Sequence, residues 1–506
     1  MNTNTDSMRP RPKPNPVAAL MVLLVLAGVL LALAAVTAPY GRPAPPPAKV
    51  KAGRRPVKAV VPKAPLRLSR TTLVAGDPDR DWVLVWAASG DLSPTTYKLG
   101  NTAVPRTSPL AGEDDGYPNF FGRLRIPAGT APGVYSVDAG RGPEAAVTVV
   151  AAPPVRTGTV VPGTTSAEQT QKLLAQGVTV VTYLPGVHVF DRSVVVPGPA
   201  TFYGYGGARI GRRAVNPTPD GKVPLFELSA APGCSFCGLD VFYDEPSEAF
   251  RSTGGQTGLV LANCTFRNCN LGFYFAGAVV RDCVFDKAGA VIAPGGVWVG
   301  NTFVGRGPVN PFDHWGNLGP LALIDSTFSG TRRGPVFNAA DGPIADGLFI
   351  GTTLRDINGT PNGCESFLCE GGTWDRHLVF RTRATNCLGA VFQPDRGGDS
   401  VLADDLAITG GLGLNLSGPA TNWTVQNFEL RDCGVWAPGA TNCTFQAGSV
   451  VGWAPTRGPE TFPNTSPGLL GRKAACVSGS PTNVLNAVNL WVQPPWLGQT
   501  GFTVTP

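Results

Sequence analysis

Charged side chains are scarce in this chain, at 15% of 506 residues, against about 25% in an ordinary soluble domain. That scarcity argues against long exposed helices, coiled coils and disordered acidic or basic chains. Glycine has no strict three-residue period, so a collagen-like triple helix is excluded. A nucleic-acid footprint is missing too, although the formal charge is +6. Residues 1–76 hold 12 Lys and Arg against one acid, Asp6, and the remainder holds 29 basic and 34 acidic residues. The excess of base therefore belongs to a tail, the folded part is mildly acidic, and no nucleic acid is expected as a partner. What remains is rich in turn residues and apolar surface: 64 Gly, 49 Pro, 24 Phe, 10 Trp and 43% hydrophobic residues. This is the composition of a turn-rich β protein. Its length suggests two or three domains or one elongated repeat array.

Residues 1–16 form a basic tail, and Val17–Ala38 follow without a charge. About 22 residues at roughly 1.5 Å each span about 33 Å, enough to cross a bilayer. The run exceeds the apolar core of a usual signal peptide, which favours an uncleaved anchor. Ala32-Leu33-Ala34 and Val36-Thr37-Ala38 would nevertheless serve as signal-peptidase sites. The expectation is a single-pass membrane protein with its C-terminal domains extracytoplasmic, or a secreted one if the leader is cleaved. Residues 39–65 carry eight prolines, seven Lys or Arg and no acid, the composition of a stiff spacer.

Residues 66–151 show short apolar or alternating runs broken by turns: Asp81–Trp86, Phe120–Ile126, Gly133–Val137 and Ala145–Val149. Turn signals every 8 to 15 residues indicate a small β-sandwich. The stretch Pro127–Val137 resembles the penultimate strand region of bacterial Ig-like modules, which implies a spacer or a sugar-binding accessory.

Thr165–Gly177 carries a helix signal, with Ser166 and Gln169 as a capping box and Gly177 as the stop. Strand-rich segments follow at Val178–Gly186, Val194–Gly198 and Ala200–Gly204. Together these resemble the opening of the pectin-lyase-like right-handed parallel β-helix family, in which a short helix caps the first coil. An internal repeat supports the resemblance: Leu261–Phe266, Val280–Phe285, Val299–Phe303, Leu323–Phe328, Phe349–Leu354, Ala403–Ile408, Val425–Leu430 and Ala440–Phe445. Aligned on the last apolar residue, they are spaced by 19, 18, 25, 26, 54, 22 and 15 residues, with the 54 read as two coils. A second motif follows some of them, in Asn268-Cys269, Asn386-Cys387 and Asp432-Cys433. The resemblance covers about residues 160–500 and implies stacked inward Phe, Leu and Cys with Asn or Asp at the turns. About a dozen coils at roughly 4.8 Å would make an array near 58 Å long. The expected fold is all-β: a right-handed parallel β-helix, preceded by a transmembrane helix and a small β-sandwich.

All 11 cysteines lie between 234 and 476, and Cys264, Cys283 and Cys443 share a repeat position. This reads as a buried ladder, with Cys264 and Cys283 within disulfide reach across neighbouring coils. Cys234-Ser-Phe-Cys237 lacks the second pair that a zinc site needs. Among the three histidines, His188 sits in an apolar strand and reads as structural. The other two, His314 and His377, lie where longer connections interrupt the repeat, the positions from which solenoids build binding sites.

Those connections hold a candidate carbohydrate groove. Trp315 and Trp374 would stack on sugar rings, and Asp313, Glu370, Asp375, Asp395 and Asp399 would supply carboxylates. Arg376 and Arg396 would hold an acidic sugar's carboxylate bidentately. For β-elimination, His314, His377 or an arginine would take the proton, with Arg or a carboxylate-bound Ca²⁺ neutralising the uronate. For hydrolysis, two of the carboxylates would flank the bond. The competing reading makes these polar residues solvated loop ends and the tryptophans coil-edge packing.

Asp404-Asp405 is similar to the paired aspartates of polygalacturonases, and Asn338–Gly342 to their upstream element. The downstream Gly-His-Gly and Arg-Ile-Lys elements are absent, and Asp404-Asp405 falls at a repeat turn, so that membership is rejected. Phe312-Asp-His314 matches an alginate-epimerase motif only loosely. Six Asn-x-Ser/Thr sequons occur, at Asn263, Asn358, Asn415, Asn422, Asn442 and Asn464. Asn263 and Asn442 belong to the repeat turn, so these matches do not establish glycosylation. The expected function is binding, with or without cleavage, of a polysaccharide or envelope glycan by a membrane-tethered β-helix. The alternative is a non-catalytic surface, adhesive or structural rod.

Overall fold

The computed structural model describes residues 64–88, 92–108, 119–212, 224–228, 233–252, 258–271, 277–291, 296–305, 312–314, 321–330, 338–339, 344–357, 373–387, 390–392, 397–410, 413–416, 419–431, 433–437, 439–451, 477–479, 482–486, 488–491 and 503–505. The apolar run Val17–Ala38, the tail before it and nearly all of the Pro-rich linker lie outside the described residues. No helix among the described residues is long and apolar enough to cross a membrane. By internal contacts the chain divides into Met1–Arg55 and Pro56–Pro506, and everything described belongs to the second unit.

From Thr157 to Thr505 the chain winds a parallel β-helix. Its first sheet starts at Thr157–Val160 and adds a parallel strand per coil, through Val180–Tyr183, Thr201–Gly204, Ser235–Cys237 and Val260–Ala262 onward to Thr503–Thr505. Inward positions of the second sheet run in register: Phe266, Phe285, Phe303, Phe328, Leu354, Ala384, Ile408, Leu430 and Val450. The predicted repeat is thus a physical column, and Ala384 supplies the coil hidden in the 54-residue gap. Rings stack along it, with Phe285 and Phe303 4.4 Å apart and Phe303 and Phe328 4.5 Å apart. A third set of short parallel strands closes the coils, including Gly289–Val291, Phe312–His314 and Asn338–Ala339, then Ala390–Phe392, Gly413–Asn415, Gly434–Ala437 and Val477–Gly479.

The corner between the first two sheets needs a left-handed residue in each coil. It is filled by Asn263, Asp282, Gly300, Asp325, Gly351, Arg381, Asp405 and Asn427, with φ of 53°, 55°, 65°, 47°, 66°, 55°, 58° and 52°. Asn, Asp and Gly tolerate that conformation best. The residue after each turns inward, which buries Cys264 and Cys283. Two alignments need correction. Phe445 pairs with Val425 in the first sheet, and Val450 takes the second-sheet position assigned to it. Cys443 accordingly follows a different corner residue, Asn442, and does not share the register of Cys264 and Cys283. The same Asn-Cys-Thr-Phe string suits both corners, because each demands a left-handed residue followed by a small inward one.

The helix forms at Ser166–Ala175 over the first coil, and Gly177 ends it with φ 76°. Its capping box does not form. The N-cap is Thr165, and the Ser166 hydroxyl turns into the coil, 3.0 Å from His188 Nδ1. His188 Nε2 lies 2.8 Å from the Leu184 carbonyl, which can only accept, so Nε2 carries a proton.

The described strands within residues 66–151 form two sheets. One contains Arg67–Leu68, Trp82–Trp86 and Phe121–Arg125; the other contains Thr72–Ala75, Thr96–Leu99, Thr102–Pro105, Gly133–Asp138 and Pro143–Ala151. They share a core of Leu73, Val83, Val85, Tyr97, Leu124, Val137 and Val147. The three-stranded sheet has an apolar central strand, Trp82–Trp86, with buried residues on both faces. Its outer face, Leu84, Trp86 and Phe121 with Phe120, packs on outward residues of the β-helix: Val297, Ile324, Leu348, Ile350, Leu378 and Phe380. The sandwich is thus docked along the flank of the first sheet. Arg281 pairs with Asp79 at 2.7 Å at the margin of that contact.

Candidate functional site

The structure divides the sequence-predicted residues into three groups. Trp315, Glu370, Asp395 and Arg396 lie outside the described residues. Asp313 and His314 lie on Phe312–His314, where the backbone of Asp313 pairs with Val291 and Asn338 in the coils on either side. Trp374, Asp375, Arg376 and His377 are described in full and meet at one corner with Asp399.

Two of these belong to the core. Trp374 is 1% exposed and stacks on Phe349 at 5.9 Å, and its ring centroid lies 4.4 Å from that of His377. His377 is fully buried, and its Nδ1 accepts the backbone N–H of Gly347 at 2.9 Å. In this structure neither faces solvent as a platform or base for a glycan. The cause is local: Arg376 adopts φ 56°, and the residue after such a corner points into the coil.

Around that buried pair the corner presents polar groups in successive coils. Its left-handed residues are Asp346, Arg376, Ser400, Asn422 and Asn442, with φ of 60°, 56°, 59°, 56° and 56°. Short strands Ile344–Ala345, Trp374–Asp375, Gly398–Asp399 and Ala420–Thr421 precede the first four of them. They stack by backbone bonds such as Asp346 N–H to Asp375 O at 2.9 Å and Arg376 N–H to Asp399 O at 2.7 Å. Asp375 Oδ1 accepts the backbone N–H of Asp399 at 3.0 Å. The Asp399 carboxylate accepts Asn422 Nδ2 at 2.7 Å, Ser400 Oγ at 2.8 Å and Thr421 Oγ1 at 2.9 Å. Partial burial pushes its pKa up, but these three donors and the charge of Arg376 outweigh burial and hold Asp399 below the usual carboxylate range.

Arg376 grips Asp346 bidentately, with Nε to Oδ1 at 2.8 Å and Nη2 to Oδ2 at 3.0 Å, and these bonds raise its pKa further. Asp346 also receives Arg67 Nη2 on its carboxylate and Trp86 Nε1 on its carbonyl at 2.7 Å, both from the sandwich. Arg376 is therefore committed to a protein carboxylate, where the sequence suggested a sugar carboxylate. Sequence reasoning missed Asp346, Ser400, Thr421 and Asn422. Their signal was the coil spacing itself, since each corner residue lies two positions before a first-sheet strand. Among the described residues, no three of His, Cys, Asp and Glu converge to hold a metal ion.

No protein-family model matches the chain, and no curated protein matches it. Solved structures with which it shares weak similarity include the catalytic domain of a GH87 alpha-1,3-glucanase in complex with nigerose, at 12% identity over 84% of this chain and 90% of that one, TM-score 0.32. Another is the PL6 family polysaccharide lyase Pedsa3628 from Pseudopedobacter saltans, at 10% identity over 69% and 96%, TM-score 0.38. A third is the Azotobacter vinelandii mannuronan C-5 epimerase AlgE6 A-module, at 11% identity over 67% and 94%, TM-score 0.32.

Proposed function

We propose that the chain is a membrane-tethered, extracytoplasmic β-helix protein that binds a polysaccharide, with Asp375, Arg376 and Asp399 in the floor of the binding surface. The connections carrying Trp315, Glu370, Asp395 and Arg396 would complete it, with Asp313 and His314 on the strand two coils earlier. The observation that carries the reading is the row Asp375 and Asp399, two half-buried carboxylates from adjacent coils whose geometry is imposed by a rigid scaffold. Fixed carboxylates and hydroxyls are the groups that accept and donate to sugar hydroxyls. The uncharged run Val17–Ala38 supports the tether, and the sandwich serves as an Ig-like accessory.

Cleavage is the second reading. In its favour, Asp375 and Asp399 sit in adjacent coils, the carboxylate of one accepting the backbone N–H of the other, and hydrolysis of a glycosidic bond uses a pair of carboxylates. Saturation of Asp399 by three donors and burial of His377 favour binding over catalysis.

The test exposes the full chain to acidic and neutral polysaccharides with and without Ca²⁺, following gel retardation, unsaturated-product absorbance and new reducing ends. Retardation by one polymer, weakened at least tenfold in Asp375→Ala and without new products, is expected. Products that vanish in Asp375→Asn would establish an enzyme, and no retardation by any polymer would leave the structural rod.

A further inference from the structure

Cys264 and Cys283 stand one above the other. Ala262 pairs with Arg281 before the corner and Thr265 pairs with Val284 after it, so the offset of 19 residues is unbroken across the turn. Both left-handed corner residues, Asn263 and Asp282, immediately precede the two cysteines and aim them inward, where each is 1% exposed. The backbone nitrogen of Cys264 lies 3.5 Å from Cys283 Sγ. Parallel strands about 4.8 Å apart put stacked Cα atoms inside the range that a disulfide spans.

Among the described residues, the strand registers stack no other cysteine directly on a cysteine. Propagating the same registers, Cys234 stacks between Ala200 and Leu259, Cys237 between Tyr203 and Ala262, and Cys269 between Ser247 and Ala288. Cys443 stacks between Trp423 and Asn483. Cys387 lies over Ile357, and Cys433 Sγ lies 3.5 Å from the Ile408 carbonyl. On past Cys283 its own column changes chemistry, to Asn301, whose Oδ1 accepts the Cys283 backbone N–H at 3.0 Å.

We propose that Cys264 and Cys283 are a bridging pair, closed to a disulfide when the chain folds in the presence of a disulfide oxidant. The structure records them as thiols. In the closing step one thiolate attacks the oxidant's disulfide and releases a first reduced thiol. The second thiolate then attacks the mixed disulfide and releases another. Two S–H bonds are lost, one S–S bond forms between coils, and the two electrons and two protons end on the oxidant's thiols. Because the folded coil shields both sulfurs, the bridge must close before the corner is packed and then resists exchange. It would staple the coils on which the sandwich docks, since Val260, Ala262 and Val279 pack beside Trp82.

Its occurrence in the cell rests on the extracytoplasmic reading, so two arms separate them. In the first, the full chain is unfolded and refolded in mixed oxidised and reduced glutathione, alkylated and cut with trypsin. Cleavage after Arg251, Arg267, Arg281 and Lys287 leaves each cysteine alone in its peptide. A linked Ser252–Arg267 and Asp282–Lys287 pair, lighter by two hydrogens than the two reduced peptides and absent in Cys283→Ser, is the expected product. Two alkylated peptides, or Cys264 linked to Cys237 instead, would overturn the proposal. The second arm maps the chain recovered from membranes without reductant while external protease reports its side. The bridge in a protease-accessible chain supports the proposal, and free thiols there overturn it. A protease-shielded chain overturns the localisation, and the first arm alone then decides the pairing.

Discussion

Gly347 and His377 are a matched pair at adjacent-coil positions. A Cβ on Gly347 would meet His377 Nδ1 at 2.5 Å and the Phe349 ring at 2.8 Å, so the missing side chain makes room for the imidazole. Gly347→Ala is expected to displace the ring and lose its bond to the backbone, costing about 1–3 kcal/mol, read as a lower denaturation midpoint. His188 offers a pH test. Burial lowers its pKa, more than its bond to Leu184 restores. Below about pH 6.5 the unfolded chain therefore binds a proton that the folded chain refuses. Stability should be flat above that value and fall on acidification until the lowered folded pKa is reached. Thermal midpoints taken from about pH 7.5 to 5 should show this slope, and His188→Gln should flatten it. The sequence marked His188 as structural through its apolar strand, but the polar string Asp375-Arg376-His377 hid a core histidine. Only the left-handed backbone at Arg376 shows which way the next residue faces.

The coil is the element, and its strongest signature is the column of second-sheet phenylalanines. Phe303 lies between two near-parallel rings, tilted by 7° and 8°. Phe303→Ala would open a cavity in the middle of the column and should cost about 3–5 kcal/mol, measured by denaturant unfolding with an unchanged slope. A loss below about 1 kcal/mol would mean that the coils collapse around the gap. This column was readable because inward large residues recur once per coil while insertions fall elsewhere. The corners were only half readable. Left-handed geometry selects Asn, Asp or Gly at each of them, so Ala440–Phe445 mimics Leu261–Phe266 although the two lie at different corners. The candidate site suffered the same ambiguity. Asp346, Ser400 and Asn422 look like ordinary turn residues until the coil spacing aligns them with Arg376.

On the scale of the whole molecule, the sandwich completes a second hydrophobic core outside the β-helix. First-sheet strands Leu321–Ile324, Leu348–Ile350 and Leu378–Phe380 are buried at every position, inward and outward. Continuous apolar runs of this kind mark strands covered on both faces. Further along, the strands starting at Thr424 and Thr444 put Thr and Gln at the outward positions, with Gln426 bonded to Asp404 at 3.0 Å and Gln446 to Gln426 at 2.9 Å. The change from continuous to alternating runs was written in the sequence and marks the end of the docked face, yet a sandwich read as a spacer gave no reason to look for it. Trp86 tests the difference. Its ring is buried against the outward β-helix residues and its Nε1 donates to the Asp346 carbonyl, so Trp86→Ala removes packing and a hydrogen bond together. A loss of about 3–5 kcal/mol falls on the contact between modules as well as on the sandwich. Limited proteolysis should then release residues near 66–151 from a β-helix that stays intact, and polysaccharide retardation should weaken as Asp346 loses its clamp on Arg376. An independent spacer would predict the opposite: an unchanged cleavage pattern in the linker, and binding untouched.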